Sequence, residues 1–257
     1  MIQIGMTVAI LWSKQESDTR YEVRSAGRTR RLYTNGVFHS QYNPNNPVTG
    51  SVWDLLMLPA FFAPQRIRRV LVLGVGGGAV IRQLNHFLRP ELIVGVELNP
   101  VHLEVARDYF DVEARNVALH QADAILWLRQ YRGEPFDLII EDLFSDNGGD
   151  PQRVIEADAP WLRLLLKRLS PQGVLVINFG SQTELRCSAW FTEPAIRSKF
   201  PSAFRLTTPL YENVIGAFLR QPVEGRVLRQ KLAGWPELDS RKKGCRLNYS
   251  LRALVTK

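Results

Sequence analysis

The spacing of apolar and polar positions changes character near residue 69. Upstream, Thr7–Trp12, Tyr21–Ser25 and Arg30–Tyr33 read as short strands. Asn35-Gly36, a pair that tolerates the positive φ of a tight hairpin turn, leads into a fourth at Val37–His39. The stretch Tyr42-Asn43-Pro44-Asn45-Asn46-Pro47 must be irregular, and Ser51–Phe62 repeats apolar residues at helical spacing until Pro64 stops it. Downstream of Arg69 the pattern becomes a strict alternation. Short apolar runs at Val70–Leu73, Leu92–Val96, Val117–His120, Phe136–Ile140 and Gly173–Phe179 are separated by helical segments at 78–88, 101–110, 124–131 and 153–169.

Strands that alternate with helices build parallel βαβ units, because only a crossover can return the chain to a parallel neighbour. The expected fold class is therefore α/β, a doubly wound and mostly parallel sheet. Phe204–Thr208 and Asn213–Phe218 are expected to close it as an antiparallel pair. The change of period divides the chain into a small β-strand domain over residues 1–50 and a Rossmann-like domain over 51–257. The basic segment from Gln221 has too little periodicity to assign an element.

Composition narrows the function classes. With 257 residues, 45% of them hydrophobic, the chain can bury a full α/β core. No apolar run is long enough to cross a bilayer, and MIQIGMTVAILW lacks both a basic start and a small-residue cleavage site. Cys187 and Cys245 read as two free thiols. These features point to the cytosol and to no membrane partner. The net charge of +8 is scattered apart from Arg28, Arg30 and Arg31, which sit where a hairpin would solvate them, so nucleic acid is not the expected partner. The histidines at 39, 86, 102 and 120 have no metal-ligand spacing and read as structural or surface residues; no metal is expected.

The chemistry gathers at the ends of the apolar strands. Gly74-Val75-Gly76-Gly77-Gly78-Ala79 follows the first and opens a helix, where glycine permits a tight turn and close backbone approach to a ligand. Gly74, Gly76 and Gly78 would shape that turn. Glu97 ends the next strand, placed to accept ribose hydroxyl hydrogens, although a solvated strand-end carboxylate is the plainer reading. Asp123 ends the third and can accept adenine amino hydrogens, cap the helix from Ala124, or do both. Asp142 ends the fourth. Ligands of open α/β sheets collect at carboxyl ends of strands, so these residues describe one crevice, and its acidity suits a sulfonium cofactor better than a pyrophosphate.

From Val70 to Phe179 the chain resembles the spermidine synthase family. VLVLGVGGGAVIRQL is similar to its glycine-rich motif, IVGVELNPVHLEVARDYF to its second-strand segment, HQADAILWL to its adenine segment and DLIIEDLF to its fourth strand. LSPQGVLVINF and the turn Thr34-Asn35-Gly36-Val37 are also family-like. The resemblance implies an adenosylmethionine-type Rossmann fold, a homodimer, and transfer of an aminopropyl group from decarboxylated S-adenosylmethionine to a diamine. It also implies that Asp142 binds or deprotonates the acceptor, with Asp146 helping to bind its cation.

Three departures bear on the reaction. Gly77 stands where the family's motif carries an aspartate for the donor amine; Val52-Trp53-Asp54 replaces its Tyr-x-Glu element; and Leu143-Phe144-Ser145-Asp146 replaces its Ser-Ser-Asp-Pro. They argue against authentic putrescine transfer. The expectation is a group transferase that uses S-adenosylmethionine or its decarboxylated form, aminopropyl and methyl transfer both remaining open, on a small-molecule acceptor such as an amine. The loop Phe144–Gln152 is expected to act as a lid. The alternatives are an adenosyl-ligand-binding protein without catalysis and, through Gly74-x-Gly76-x-x-Ala79, an NAD-dependent oxidoreductase.

Overall fold

The computed structural model describes residues 8–147 and 150–255. The chain opens with β1 (Val8–Glu16), β2 (Thr19–Ala26), β3 (Thr29–Thr34) and β4 (Val37–Tyr42), an antiparallel meander in sequence order. The turn between β3 and β4 sits at Asn35-Gly36, with φ of 49° and 84°, the conformation that pair favours. Helix α1 (Val52–Met57) gives way to a tighter turn at Leu58–Phe62 that contains Pro59, so the expected single helix is two short pieces.

The alternating part follows as β5 (Arg69–Leu73), α2 (Ala79–Phe87), β6 (Leu92–Glu97), α3 (Pro100–Asp108), β7 (Val117–Gln121), α4 (Ala124–Gln130) and β8 (Phe136–Glu141). Next come the hairpin of β9 (Phe144–Asn147) and β10 (Asp150–Arg153), then α5 (Ala159–Leu166) and β11 (Leu169–Phe179). The chain continues with short helices α6 (Gln182–Cys187), α7 (Ala189–Thr192) and α8 (Pro194–Arg197), β12 (Ser202–Thr207), β13 (Val214–Leu219), α9 (Gly225–Leu232) and β14 (Ser250–Ala253). The large sheet has the order β14-β12-β13-β11-β8-β5-β6-β7. Pairing is parallel from β11 to β7 and antiparallel from β11 to β14.

Both faces of the central strands β5, β6, β8 and β11 are buried, which is why they read as apolar runs, whereas the edge strands β7 and β14 are half-buried or exposed. Val70, Val72, Leu138, Ile140, Val174 and Val176 belong to one core cluster, while Leu71, Leu73, Ile139, Leu175 and Ile177 belong to the other. Among the described residues, no helix is long and apolar enough to cross a membrane.

Two sequence expectations need correction. The helix expected from Arg153 to Leu169 starts at Ala159, where Asp158 accepts a hydrogen bond from Trp161 N at 2.8 Å; Arg153 lies in β10 instead. Residues 144–147 and 150–153, expected to lie in an irregular loop and the start of a helix, pair instead as antiparallel strands β9 and β10, with Phe144 opposite Arg153. The unassigned tail supplies α9, with Leu228 and Leu232 buried, and edge strand β14 on β12. Its two buried leucines, four residues apart among charges, left too narrow a stripe to detect.

Candidate functional site

In the sheet order β8-β5-β6-β7, the chain leaves β5 toward β7 and returns on its other side as β8. That reversal is the switch point where an open α/β sheet forms a crevice. A cleft of about 830 Å³ lies there, and Gly74, Gly76, Glu97, Asp123 and Asp142 all line it. The crossing is tight. Gly74 has φ of +85°, and a Cβ there would stand 2.1 Å from the Asp142 carbonyl oxygen. Asp142 N in turn donates to Leu73 O at 2.8 Å, so the turn and Asp142 are locked side by side.

Glu97 is not a solvated strand end. Only 9% exposed, it accepts hydrogen bonds from Val75 N at 2.9 Å and Gly76 N at 2.8 Å through Oε2, and from Asn99 N at 2.9 Å through Oε1. It fastens the glycine turn to β6. A carboxylate has about four acceptor positions, so one remains for a ligand hydroxyl on the cleft side. Asp123 caps α4 by accepting from Leu126 N at 2.8 Å while facing the cleft, the double placement the sequence left open.

Gly78 does not line the cleft. Its φ is +80°, and a Cβ would meet Val112 Cγ2 at 2.6 Å, so it lets the turn seat against the core and start α2. At Gly77 a Cβ would stand 2.7 Å from Ser40 Cβ and 3.0 Å from Phe110 Cδ1. The N-terminal sheet therefore fills the space a side chain would need there. Asp54 is buried too: it accepts from Thr49 N at 2.9 Å, Thr49 Oγ1 at 2.8 Å and Gly50 N at 2.7 Å, while Val52 and Trp53 line the cleft.

Asp142 is among the most perturbed groups lining the cleft. Burial pushes its carboxyl up to about 6, with Glu141 and Glu97 acting the same way; Asn178 and Arg153 oppose them. Asn178 Nδ2 donates to Asp142 Oδ1 at 2.7 Å, and Asn213 Nδ2 donates to Asn178 Oδ1 at 3.1 Å. Under this chain Glu141 and Arg153 form a buried ion pair at 2.8 Å. Asp146 lies in β9, opposite Pro151, but its side chain is outside the described residues.

Sequence reasoning missed several residues. His102 and His39 line the cleft, their rings 4.9 Å apart. His102 Nε2 is 2.9 Å from Thr34 Oγ1 and its Nδ1 is 3.9 Å from Glu97 Oε1; burial pushes its imidazole down to about 4, so it is neutral near pH 7. No local motif marks His39, His102, Asn178, Asn213 or Arg153, because long-range packing alone brings them to the site. Among the described residues no group of His, Cys, Asp or Glu is arranged to hold a metal ion.

The arrangement is open to comparison with known proteins. Residues 54–220, well over half of the 257-residue chain, match the spermine/spermidine synthase domain. Polyamine aminopropyltransferase 2 of Caldanaerobacter subterraneus subsp. tengcongensis is 28% identical over 128 residues, which is 49% of this chain and 42% of that protein. The chain spans less than half the length of the curated relatives it matches. A probable spermidine synthase from Corynebacterium glutamicum has the same fold, with a TM-score of 0.70, 18% identity, and coverage of 95% of this chain and 91% of that one. A spermidine synthase in complex with the transition state analogue AdoDATO gives a TM-score of 0.64 at 15% identity, over 87% of this chain and 77% of that one.

Proposed function

The chain belongs to the spermine/spermidine synthase family, and from that premise we propose that it is a transferase that moves an alkyl group from an adenosyl sulfonium donor to a small-molecule amine. An aminopropyl group is the form of the reaction the relatives' name favours. The glycine turn and Glu97 would hold the ribose side of the donor and Asp123 its adenine. The acceptor nitrogen would attack the carbon next to sulfur, the C–S bond would break with its electron pair left on sulfur as a thioether, and Asp142 would take the proton the amine loses. Phe144, Ser145 and Pro151 of the β9–β10 hairpin line the cleft, and Asp146, between them in the chain, would contribute to acceptor binding.

The observation that carries this reading is Asp142 itself. It is a carboxylate at the switch point, locked against the glycine turn, hydrogen-bonded by Asn178, and with its proton affinity raised to about 6. A base works best when its pKa lies near the working pH, and an ordinary carboxylate is too weak to hold an amine's proton well. Asp142→Asn keeps the shape and removes the base. Transfer from a radiolabelled donor should fall by about 10²–10⁴-fold while methylthioadenosine affinity, measured by calorimetry, changes little. A folded variant with wild-type transfer rate would remove Asp142 from the chemistry.

A second reading is favoured by Gly77. With Ser40 and Phe110 closing that position, the turn has no carboxylate to offer a donor amine, so S-adenosylmethionine itself, and with it methyl transfer, remains a competing donor chemistry.

A further inference from the structure

Beneath Asp142 lies a pair of charges that the transfer chemistry above does not use. Glu141, the last residue of β8, is fully buried, and Arg153, the last residue of β10, has a side chain only 6% exposed. Beyond the 2.8 Å contact with Glu141, the Arg153 guanidinium donates to the backbone carbonyls of Asn178 and, at 3.0 Å, Ile155. Its Nε is 3.7 Å from Glu184, and its plane sits over the Phe179 ring at 5.2 Å. A planar group with five donors is here satisfied by the end of β8, the end of β11 and the chain after β10.

Two of those connections lead to Asp142. Glu141 precedes it in the chain and accepts from Leu143 N at 3.3 Å, so it brackets Asp142 from both sides along the backbone. Asn178, whose carbonyl Arg153 holds, is also the residue whose side-chain amide holds Asp142 Oδ1 at 2.7 Å. Stability alone is a poor account of the pair, since two buried charges cost desolvation that an apolar pair of the same size avoids.

We propose that Glu141 and Arg153 are positioning residues for Asp142: Arg153 fixes, through the Asn178 carbonyl, the amide that aims the carboxylate, and the two charges set opposing fields on it. The inference rests on the reading of Asp142 as proton acceptor. The groups facing Asp142 are Glu141 and Glu97, which raise its proton affinity, and Arg153 and the Asn178 amide, which lower it. Removing the two members of one ion pair therefore has opposite consequences at Asp142.

The test is a carbon-13 titration of the aspartate carboxyls, with the Asp142 signal identified by its loss in Asp142→Asn. Glu141→Gln should lower the Asp142 midpoint and Arg153→Met should raise it, each by roughly half to one pH unit. The acid limb of kcat/KM for transfer should move with the midpoint in each case. Shifts in the same direction, or none in either variant, overturn the proposal, because a role confined to holding the fold destabilises both without opposing them. Arg153→Met leaves Glu141 buried without its cation and can fail to fold; the double variant Glu141→Met/Arg153→Met replaces the pair with apolar residues and avoids that. In the double variant the midpoint should stay within a few tenths of a unit of wild type, because opposing fields are removed together. Its kcat should fall by about tenfold with donor KM nearly unchanged, because the aiming amide is no longer fastened. A double variant with wild-type kcat overturns the positioning role. A wild-type protein that transfers nothing to amines defeats the proton-acceptor reading alone, and the titration still decides whether the pair brackets Asp142.

Discussion

The two ends of the cleft are built in different ways. At the end proposed to hold the nucleoside, the glycine turn, Glu97 and Asp123 follow one another at or just past the ends of β5, β6 and β7, held by bonds between carboxylates and backbone amides. At the end proposed for transfer, Asp142 is surrounded by Asn178, Asn213 and Arg153, which come from the end of β11, the residue before β13, and β10. The first end is made largely of backbone geometry, the glycine turn and the amides that hold Glu97 and Asp123. The second is a buried polar network in which one charge tunes another. Binding and chemistry can therefore be separated by mutation, one end at a time.

The largest separation should appear with pH. Since the folded protein holds the Asp142 proton with a midpoint of about 6 against an ordinary 3.8, transfer should be flat at higher pH and fall roughly tenfold per unit below the midpoint. Methylthioadenosine binding should show no such limb. The same shift is a stability statement. A carboxyl whose folded pKa is raised binds its proton more tightly when folded, so the ionised form carries a penalty that is complete above the folded midpoint and gone below the unfolded one. Asp142→Asn should therefore unfold at a higher temperature than wild type at about pH 8, by the equivalent of about 1–2 kcal/mol for this half-buried group, and converge with it near about pH 4. A variant equally destabilised at both pH values would mean that Asp142 is structural.

At the other end, Glu97→Ala should weaken methylthioadenosine binding by about 1.5–3 kcal/mol, the value of one charge-assisted hydrogen bond, because three of the carboxylate's acceptor positions are already occupied by amides. The rate at saturating donor should change less than the affinity. A folded variant with unchanged affinity, read by calorimetry, would take Glu97 out of the ribose site.

Gly77→Ala probes the packing that distinguishes this turn. A methyl group 2.7 Å from Ser40 Cβ must displace β4 or the turn, and overpacking of this kind costs about 1–3 kcal/mol in thermal or denaturant unfolding. A neutral substitution would show that the turn and β4 have room to separate, and would reopen the position to a carboxylate.

What could be read from the sequence follows the same division. The strands β5, β6 and β8 were legible because both faces are buried and their apolar runs are continuous, and the turn was legible because glycine at 74, 76 and 78 has a local backbone cause. Glu97 was read as a ribose acceptor with a solvated strand end as the alternative; the structure removes that alternative, and the sequence could not, because the carboxylate's partners are backbone amides, which carry no side-chain signature. Arg153 was placed in a helix; nothing in the order of residues 150–158 shows that the segment folds back as a strand to reach Glu141. His102 followed the same rule: an isolated histidine on a helix gives no hint that Thr34, 68 residues away, will meet it.

The smallest expected effect is also the one that bears most directly on the reaction. Family resemblance favours decarboxylated S-adenosylmethionine, whose tail ends in an amine without a carboxylate, and a strong preference for it requires an anion near that amine. The glycine turn cannot provide one while Ser40 and Phe110 occupy the space beside Gly77. Of the strand-end acids on the cleft wall, Glu97 already accepts three backbone amides and Asp123 caps α4, which leaves Asp142, a group only partly ionised near about pH 6. The two donors should therefore differ in affinity by less than about tenfold, or about 1.4 kcal/mol. Raising the pH from about 6 to about 8 ionises Asp142 fully, and any preference for the decarboxylated form should grow over that interval if Asp142 is the partner of the amine. A preference far above tenfold that does not change with pH would place a different, permanently ionised carboxylate at the tail, with Asp146 the first to mutate.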